Sequence, residues 1–431
     1  MRKSFWLPIF PLAMFLCCFA QPKTDSMLQN LLLQSGFELV KNVLGNKDSF
    51  RVQIIYTQID RDKKNNPSFK NYYFNVDSNL YFNPASTVKL PLALLSLEKL
   101  NKMNIKGVNK YTALQIDSSY SKQSIVLFDT TSQNGYPSIA HYIKKAFLIS
   151  DNDAYNRMYE FVGQQNINRG LHEKGYESIR ITRQFLGLTA EENRHTNAMR
   201  FIHDDGRLIY RQQPAYNPDS FYFGKTIKLG KGHLNSNDSL INEPIDFTYV
   251  NNVPLEDLQQ ILQSVMFPAS VPKQQTFDLT KADYKFLYQY LSQFPSETNY
   301  PKYDSSQYYD SYVKFYFRDS TRHLPYGVRV FNKVGWAYGF LIDVSYVVDF
   351  IHKTEFMLTS TLYVNSDGIL NDNKYDYETV GWPFLYDIGQ VIYNYELKRD
   401  RKYQPDLGRF ILPYEKRAAG DSRPLIKDVD N

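Results

Sequence analysis

The chain has 431 residues, of which 43% are hydrophobic and 22% charged, so it can bury at least one large core and does not have the composition of a disordered protein. Its formal net charge is only +5, and the basic residues are scattered along the chain. This balance argues against a polyanion, so we expect no nucleic-acid partner.

The first twenty residues have the pattern of an export signal. Arg2 and Lys3 precede the apolar run FWLPIFPLAMFLCCFA, which is too short and too interrupted by proline for a membrane span. Cleavage after Ala20 would leave a mature chain without cysteine, because both cysteines lie in this run. The alternative is lipidation of Cys17 or Cys18, which would anchor the protein to a membrane. Either route predicts an exported bacterial protein, periplasmic or associated with the envelope.

The segment after the leader predicts a helix and a hairpin. Residues 27–44 carry apolar side chains at helical spacing, which indicates one amphipathic helix. RVQIIYTQID and KNYYFNV are rich in β-branched and aromatic residues, and the turn-forming RDKKNNPS between them favours a β-hairpin. The apolar helix LPLALLSLEKL comes next, and we expect Pro91 to kink it near its start.

The middle of the chain, about 90–265, has a helical pattern that is interrupted at about 204–250 by a segment rich in Asn, Asp, Gly and Tyr. PLEDLQQILQSVM predicts a helix that begins after Pro254. Three strand-like runs follow, YGVRVFNKVG, FLIDVSYVVDF and TEFMLTSTLYV, and then a last helix, FLYDIGQVIYNYELKRD. Strands at both chain ends around a helical block predict an α+β domain over 21–400, with 401–431 as a tail.

The first candidate for chemistry lies at the start of the apolar helix. Ser86 and Lys89 are three residues apart, so both side chains lie on one helical face. A serine becomes a nucleophile when a base takes its proton, and a lysine can be that base when burial lowers its pKa. The helix start also offers a backbone N–H for an oxyanion. This motif is weak by itself, because the chain holds four further Ser-x-x-Lys copies. They begin at Ser96, Ser119, Ser270 and Ser311.

Two further motifs select Ser86 from these copies. The only Ser-Asp-Asn in the chain runs from Ser150 to Asn152 between two helical stretches, where it could also be a helix cap. Lys333 and Gly335 belong to a Lys-x-Gly within a strand near the C-terminus, where glycine lets a ligand approach the backbone. The three motifs together are far more specific than any one of them.

The motifs STVK, SDN and KVG, in this order, resemble those of the penicillin-recognising serine hydrolases, most closely the class A β-lactamases. The resemblance covers most of residues 25–400. It implies the β-lactamase/transpeptidase-like fold, in which an antiparallel sheet from both chain ends is flanked by helices and carries an inserted all-helical subdomain. It also implies an acyl-enzyme mechanism with no cofactor or metal, acting on a small-molecule β-lactam or a cell-wall peptide.

Position by position, the resemblance implies a role for each matched side chain. Ser86 would be the acylated nucleophile and Lys89 its activating amine. Ser150 would relay a proton to the leaving group, and Asn152 would hold the amide side chain of the substrate. Lys333 would place positive charge near Ser150 and the substrate carboxylate.

The resemblance further implies an oxyanion hole formed by the backbone N–H groups of Ser86 and Trp336, beside Gly335. Two departures from the family pattern matter. Val334 stands where the family usually has Thr or Ser, so a hydroxyl that helps bind the substrate carboxylate is missing. The Glu-x-x-x-Asn pattern of the deacylating base is absent too. Glu192, in RITRQFLGLTAEENRHTNAM, is the candidate for that base, and without a base the acyl-enzyme would persist.

Three functions remain open at this point. The first is an exported class A type β-lactamase that works through an acyl-enzyme on Ser86. The second is a penicillin-binding D,D-peptidase, or another amide or ester hydrolase, with the same fold. The third is a non-catalytic envelope binding protein that has kept the cleft. The seven histidines have no metal-ligand spacing, and neither a phosphate-binding loop nor a Gly-x-Ser-x-Gly elbow occurs.

Overall fold

The computed structural model describes residues 21–418 and 420–429, so the predicted leader, with Cys17 and Cys18, lies outside the described residues. Among the helices in these two ranges, none is both long and apolar enough to cross a membrane. The α-helices are α1 (Ser26–Leu33), α2 (Glu38–Gly45), α3 (Lys89–Met103), α4 (Ile139–Leu148), α5 (Asn152–Val162), α6 (Gln164–Glu173), α7 (Leu255–Met266), α8 (Lys281–Ser292) and α9 (Trp382–Lys398).

The strands fall into one large sheet and several small ones. They are β1 (Gln53–Arg61), β2 (Pro67–Phe74), β3 (Ala113–Ile116), β4 (Met199–Ile202), β5 (Leu208–Gln212), β6 (Lys228–Leu229), β7 (Gly232–Leu234), β8 (Leu240–Ile241), β9 (Ile245–Asp246), β10 (Val328–Ala337), β11 (Phe340–Asp349), β12 (Thr354–Tyr363) and β13 (Ile369–Leu370).

The large sheet joins the two ends of the chain. Its strand order is β10-β11-β12-β1-β2, and every neighbouring pair is antiparallel. The β1–β2 hairpin near the N-terminus attaches through β1 to β12, with Ile55 opposite Thr359. This arrangement confirms the predicted hairpin, the three C-terminal strands and the antiparallel sheet from both chain ends.

The sheet carries a hydrophobic cluster on each face, because successive side chains of a strand point to opposite sides. Val344 of β11 belongs to the cluster that includes Leu92 of α3. Val334 of β10 belongs to the other cluster, which includes Ile388 of α9. Helices therefore cover both faces, and β10 is left as an edge strand that can line a cleft.

One local prediction about the helices was wrong. The single helix predicted over 27–44 is divided into α1 and α2, because Gly36 between them has a φ of +86°, which a helix cannot include. The kink expected at Pro91 stays a prediction, although α3 begins only two residues earlier, at Lys89. Pro91 thus lies in the first turn, where a backbone N–H has no helical acceptor to lose.

The inserted region contains α4, α5 and α6, but it is not all-helical as predicted. It also holds the small antiparallel sheet β3-β4-β5, in which Leu114 lies opposite Phe201. These strands have only four or five residues, and β3 pairs with β4 across more than 80 residues of chain, so the sheet was not predicted from local patterns. In the 204–250 segment, the ring of Phe247 packs 6.0 Å from Tyr81 and 5.1 Å from Tyr338. Tyr81 is five residues before Ser86 in the chain.

Candidate active site

Five side chains of the three motifs form one hydrogen-bonded cluster. The start of α3, the loop before α5 and the edge strand β10 supply them, so three distant parts of the chain converge here. The members are Ser86, Lys89, Ser150, Asn152 and Lys333.

Ser86 lies in a short 3-10 turn, Ala85–Val88, that runs directly into α3. The side chain of Asn83 starts this turn by accepting the Ala85 N–H at 2.9 Å. Ala85 has a φ of +44°, a strained value for a residue with a Cβ. Such strain persists only where the surroundings impose it, and it is common at active sites. The turn leaves Ser86 partly exposed at its surface.

Lys89 is the centre of the cluster, and its side chain is fully buried. Its Nζ lies 2.8 Å from Ser86 Oγ, 2.8 Å from Asn152 Oδ1 and 3.3 Å from Ser150 Oγ, and it also donates to the Ser150 carbonyl. None of these partners is a carboxylate. Burial lowers the pKa of Lys89 to about 7, against a weaker opposing effect of Asp151. Near neutral pH a large share of the amine is therefore unprotonated and can accept the Ser86 proton.

The Ser-Asp-Asn loop is held in a strained and well-braced conformation. Ser150 has a φ of +67°. Asp151 caps α5 by accepting the Ala154 N–H at 2.7 Å, and its carboxylate lies 3.4 Å from the Lys145 amine. Asp151 thus holds the loop, while its neighbours Ser150 and Asn152 reach Lys89.

Lys333 approaches the same loop from β10. Its Nζ lies 2.9 Å from Ser150 Oγ and 2.7 Å from the Val334 carbonyl, and the side chain is buried. Burial, and then the positive charge of Lys89, lowers the pKa of Lys333 well below its usual value. The Ser150 hydroxyl therefore contacts both amines and can exchange a proton with either of them.

Gly335 lets β10 approach the turn Ala85–Val88, which carries Ser86 and is called the nucleophile turn below. A Cβ at this position would lie 2.9 Å from the backbone nitrogen of Ser86 and 2.9 Å from the Pro84 carbonyl oxygen, so only glycine fits without movement. The next residue, Trp336, is partly exposed, and its ring packs 5.8 Å from Phe315. The role of its backbone N–H in an oxyanion hole stays a prediction.

Glu192 is not part of the cluster. Its carboxylate accepts the Thr189 N–H at 2.8 Å, the Ser121 hydroxyl at 3.2 Å and the Lys122 amine at 3.3 Å. These bonds, led by the one from the Thr189 backbone, lower the pKa of Glu192 to about 2. A carboxylate with so low a pKa is a weak base, so its contacts favour a bracing role in the loop over the predicted role in deacylation.

Phe185 lies beside the cluster, although no motif singled it out. Its ring centroid is 5.3 Å from Lys89 Nζ, and the ring stacks on Tyr155 at 4.3 Å. The surrounding RITRQFLGL has no catalytic pattern. The one sequence signal for Phe185 is its position in the segment predicted to hold the deacylating base.

The other Ser-x-x-Lys copies do not form a comparable pair. In three of them the serine hydroxyl bonds a backbone group, namely at Ser96, Ser119 and Ser270. In the fourth, the buried Lys314 donates to Asn332 Oδ1 at 2.6 Å and to two carbonyls, but not to Ser311. Only in the first copy, among the described residues, does the lysine reach its own serine.

The cluster combines a hydroxyl that can act as a nucleophile, an amine that can act as a base and several hydrogen-bond donors in one buried place. Lys89 and Lys333 bring two amines close together, while their hydrogen-bond partners are hydroxyl, amide and carbonyl oxygens. Such a site favours an anionic substrate. Within the two described ranges, no group of three or more His, Cys, Asp or Glu side chains is arranged to hold a metal ion.

Comparison with known families gives one match. Residues 38–210, which include STVK and SDN, match the family model described as the β-lactamase enzyme family. The matched region ends before the third motif, KVG. Among curated proteins, none matches the sequence significantly.

Solved structures of β-lactamases resemble the chain at low identity. A β-lactamase from Sphaerobacter thermophilus is 13% identical, with 84% of this chain and 96% of that one covered and a TM-score of 0.42. One from Xanthomonas campestris is 13% identical, with coverages of 86% and 99% and a TM-score of 0.45. A class A enzyme from Clostridium kluyveri is 14% identical, with coverages of 82% and 97% and a TM-score of 0.45.

Proposed function

We propose that the chain, whose residues 38–210 match the β-lactamase enzyme family, is an exported serine hydrolase of class A β-lactamase type that forms an acyl-enzyme on Ser86. One observation carries the proposal: the buried amine of Lys89 bonds the hydroxyl of Ser86 and the side chains of Ser150 and Asn152. A serine that only capped a helix, or a lysine that lay in solvent, would not need these contacts.

In the proposed acylation, neutral Lys89 takes the proton of Ser86 while Ser86 Oγ attacks the carbonyl carbon of the amide. The developing oxyanion is stabilised by the backbone N–H groups of Ser86 and Trp336. The C–N bond then breaks, and Ser150 donates its proton to the leaving nitrogen. Ser150 regains a proton from Lys89, which thereby passes on the proton that it took from Ser86, while Lys333 also contacts the Ser150 hydroxyl. The product is an ester on Ser86.

Substrate binding in this proposal rests on Asn152 and Lys333. Asn152 would bond the amide side chain of the substrate, and Lys333 would attract its carboxylate. Val334 offers no hydroxyl for that carboxylate, and its side chain is buried in the cluster on the α9 side of the sheet. We therefore expect the carboxylate to depend more on Lys333 and Ser150 than it would with a threonine at 334. The ligand would be a β-lactam or a cell-wall peptide.

A second candidate, a penicillin-binding D,D-peptidase, is favoured by one specific observation. Neither Lys89 nor Ser86 has a carboxylate among its hydrogen-bond partners in the described part of the chain, so no acidic base is in place to drive hydrolysis of the acyl-enzyme. The intact five-residue cluster disfavours the third candidate, a non-catalytic binding protein. Export and a periplasmic or envelope location belong to the proposal and depend on the leader at 1–20.

The experiment follows a chromogenic cephalosporin with the purified mature protein and measures intact mass at the same time. We expect an adduct on the wild type and none on Ser86→Ala. Steady release of product would support a β-lactamase, while a long-lived adduct would support a penicillin-binding peptidase. If neither appears with β-lactams of several classes, the proposed acyl-enzyme is wrong.

A further inference from the structure

Phe185 covers one side of the catalytic amine. Its ring centroid lies 5.3 Å from Lys89 Nζ, within the range of a cation–π contact. The same amine is within hydrogen-bond distance of oxygens of Ser86, Ser150 and Asn152. The place next to Lys89 is therefore lined by a phenyl ring, which has no strong hydrogen-bond acceptor to offer a water molecule.

The backbone around Phe185 is firmly held. Its N–H donates to the Oδ1 of the buried Asn156 at 2.8 Å, and its ring stacks on Tyr155 at 4.3 Å with an interplanar angle of 23°. One residue earlier, the Gln184 N–H donates to Asn193 Oδ1 at 2.7 Å. The position of the ring is thus determined by packing and hydrogen bonds, so it cannot easily leave the amine.

The nearby loop supplies no substitute base. Glu192, the acidic residue predicted for this role, is bonded to Thr189, Ser121 and Lys122, and none of these belongs to the catalytic cluster. A water held next to an ester needs two or more polar partners and a base that takes its proton. Phe185 itself can supply neither a polar partner nor a base on the side of Lys89 that it covers.

We propose that Phe185 determines the lifetime of the acyl-enzyme, because its ring occupies the place from which a carboxylate would activate the hydrolytic water. The chain is then acylated at Ser86 but deacylates slowly, so of the two acyl-enzyme candidates it behaves as the penicillin-binding type rather than as a β-lactamase that turns over. This inference rests on the proposed function, because it requires an ester on Ser86.

Deacylation adds one water across the ester. The water oxygen bonds to the acyl carbon, the bond from that carbon to Ser86 Oγ breaks, and one water proton ends on Ser86. A base must hold that proton while the tetrahedral intermediate forms and then return it to the oxygen of the leaving serine. A carboxylate at position 185 would supply this base without any further reactant.

The test compares Phe185→Glu with Phe185→Leu, which keeps an apolar side chain of similar burial and adds no base. Each full-length mature variant is acylated with a cephalosporin, separated from excess compound, and followed by intact mass. We expect the wild-type and Phe185→Leu adducts to decay slowly. The Phe185→Glu adduct should decay about 100-fold faster, a gain typical of a positioned general base.

A second variant covers the case in which Phe185→Glu does not fold. Phe185→Ala opens the same place, and added acetate should then accelerate its deacylation but not that of Phe185→Leu. A short-lived wild-type adduct would overturn the inference while leaving the proposed function intact. Equal decay of all adducts, with or without a carboxylate at the site, would overturn it as well. No adduct on any variant would contradict the proposed function itself.

Discussion

The amine nitrogen of Lys333 lies 2.9 Å from the hydroxyl oxygen of Ser150, although 183 residues separate the two in the chain. Ser150 Oγ also lies 3.3 Å from Lys89 Nζ. One hydroxyl thus connects two buried amines whose pKa values are both lowered by burial. This link joins the edge strand β10 to the inserted region.

The rate of acylation should rise with pH around neutrality. Burial lowers the pKa of Lys89 to about 7, so the neutral form that accepts the Ser86 proton is scarce below this pH and dominant above it. We expect the acylation rate, measured from about pH 5.5 to 9, to rise with a midpoint near pH 7. Intact mass after rapid quenching measures the rate at each pH. A midpoint near the ordinary lysine value would contradict Lys89 as the base.

Removal of the Ser150 hydroxyl should slow acylation without harming the fold. Ser150→Ala deletes the group that both amines contact, and we expect a loss of about 100-fold or more in the acylation rate. Ser150→Gly is the matched control, because glycine accepts the φ of +67° without strain. Both variants should lose activity, with Ser150→Gly at least as stable as Ser150→Ala by thermal unfolding. Normal acylation by either variant would exclude a relay through Ser150.

A methyl group at position 335 should displace β10 from the nucleophile turn. The Cβ of Gly335→Ala would lie 2.9 Å from Ser86 N and Pro84 O, and both are backbone atoms that cannot rotate away. We expect a loss of about 1–3 kcal/mol in the free energy of unfolding and a clear fall in acylation rate. Gly45→Ala is the control, since its added Cβ meets no atom within 4 Å. If Gly335→Ala acylates normally, the close approach has no functional role.

Neutralising Glu192 should leave the chemistry nearly unchanged. Glu192→Gln weakens the bonds to Thr189, Ser121 and Lys122 but touches no member of the catalytic cluster. We expect acylation and deacylation rates within about threefold of the wild type, as for most surface substitutions. A stopped assay that separates the two steps measures both. A strong fall in deacylation alone would restore Glu192 as the base.

Local sequence patterns were sufficient for much of the fold. Alternating β-branched and aromatic residues predict β10, β11 and β12, and the turn residues between β1 and β2 predict their hairpin. The division of the predicted N-terminal helix at Gly36 and the small sheet β3-β4-β5 were missed. The first depends on one left-handed glycine, and the second on the pairing of β3 with β4, two short segments far apart in the chain.

The sequence by itself determined which residue types are available to the site and their order, because STVK, SDN and KVG can be read without a structure. Only the tertiary structure decided which serine of the Ser-x-x-Lys copies a buried lysine contacts. Lys89 and Lys314 both end a Ser-x-x-Lys copy, are buried and have a pKa near 7, but only Lys89 reaches its own serine. Likewise, only the tertiary structure shows that Glu192 bonds residues outside the cluster and that Phe185 lies beside Lys89. Burial and long-range contacts depend on the whole chain rather than on local spacing.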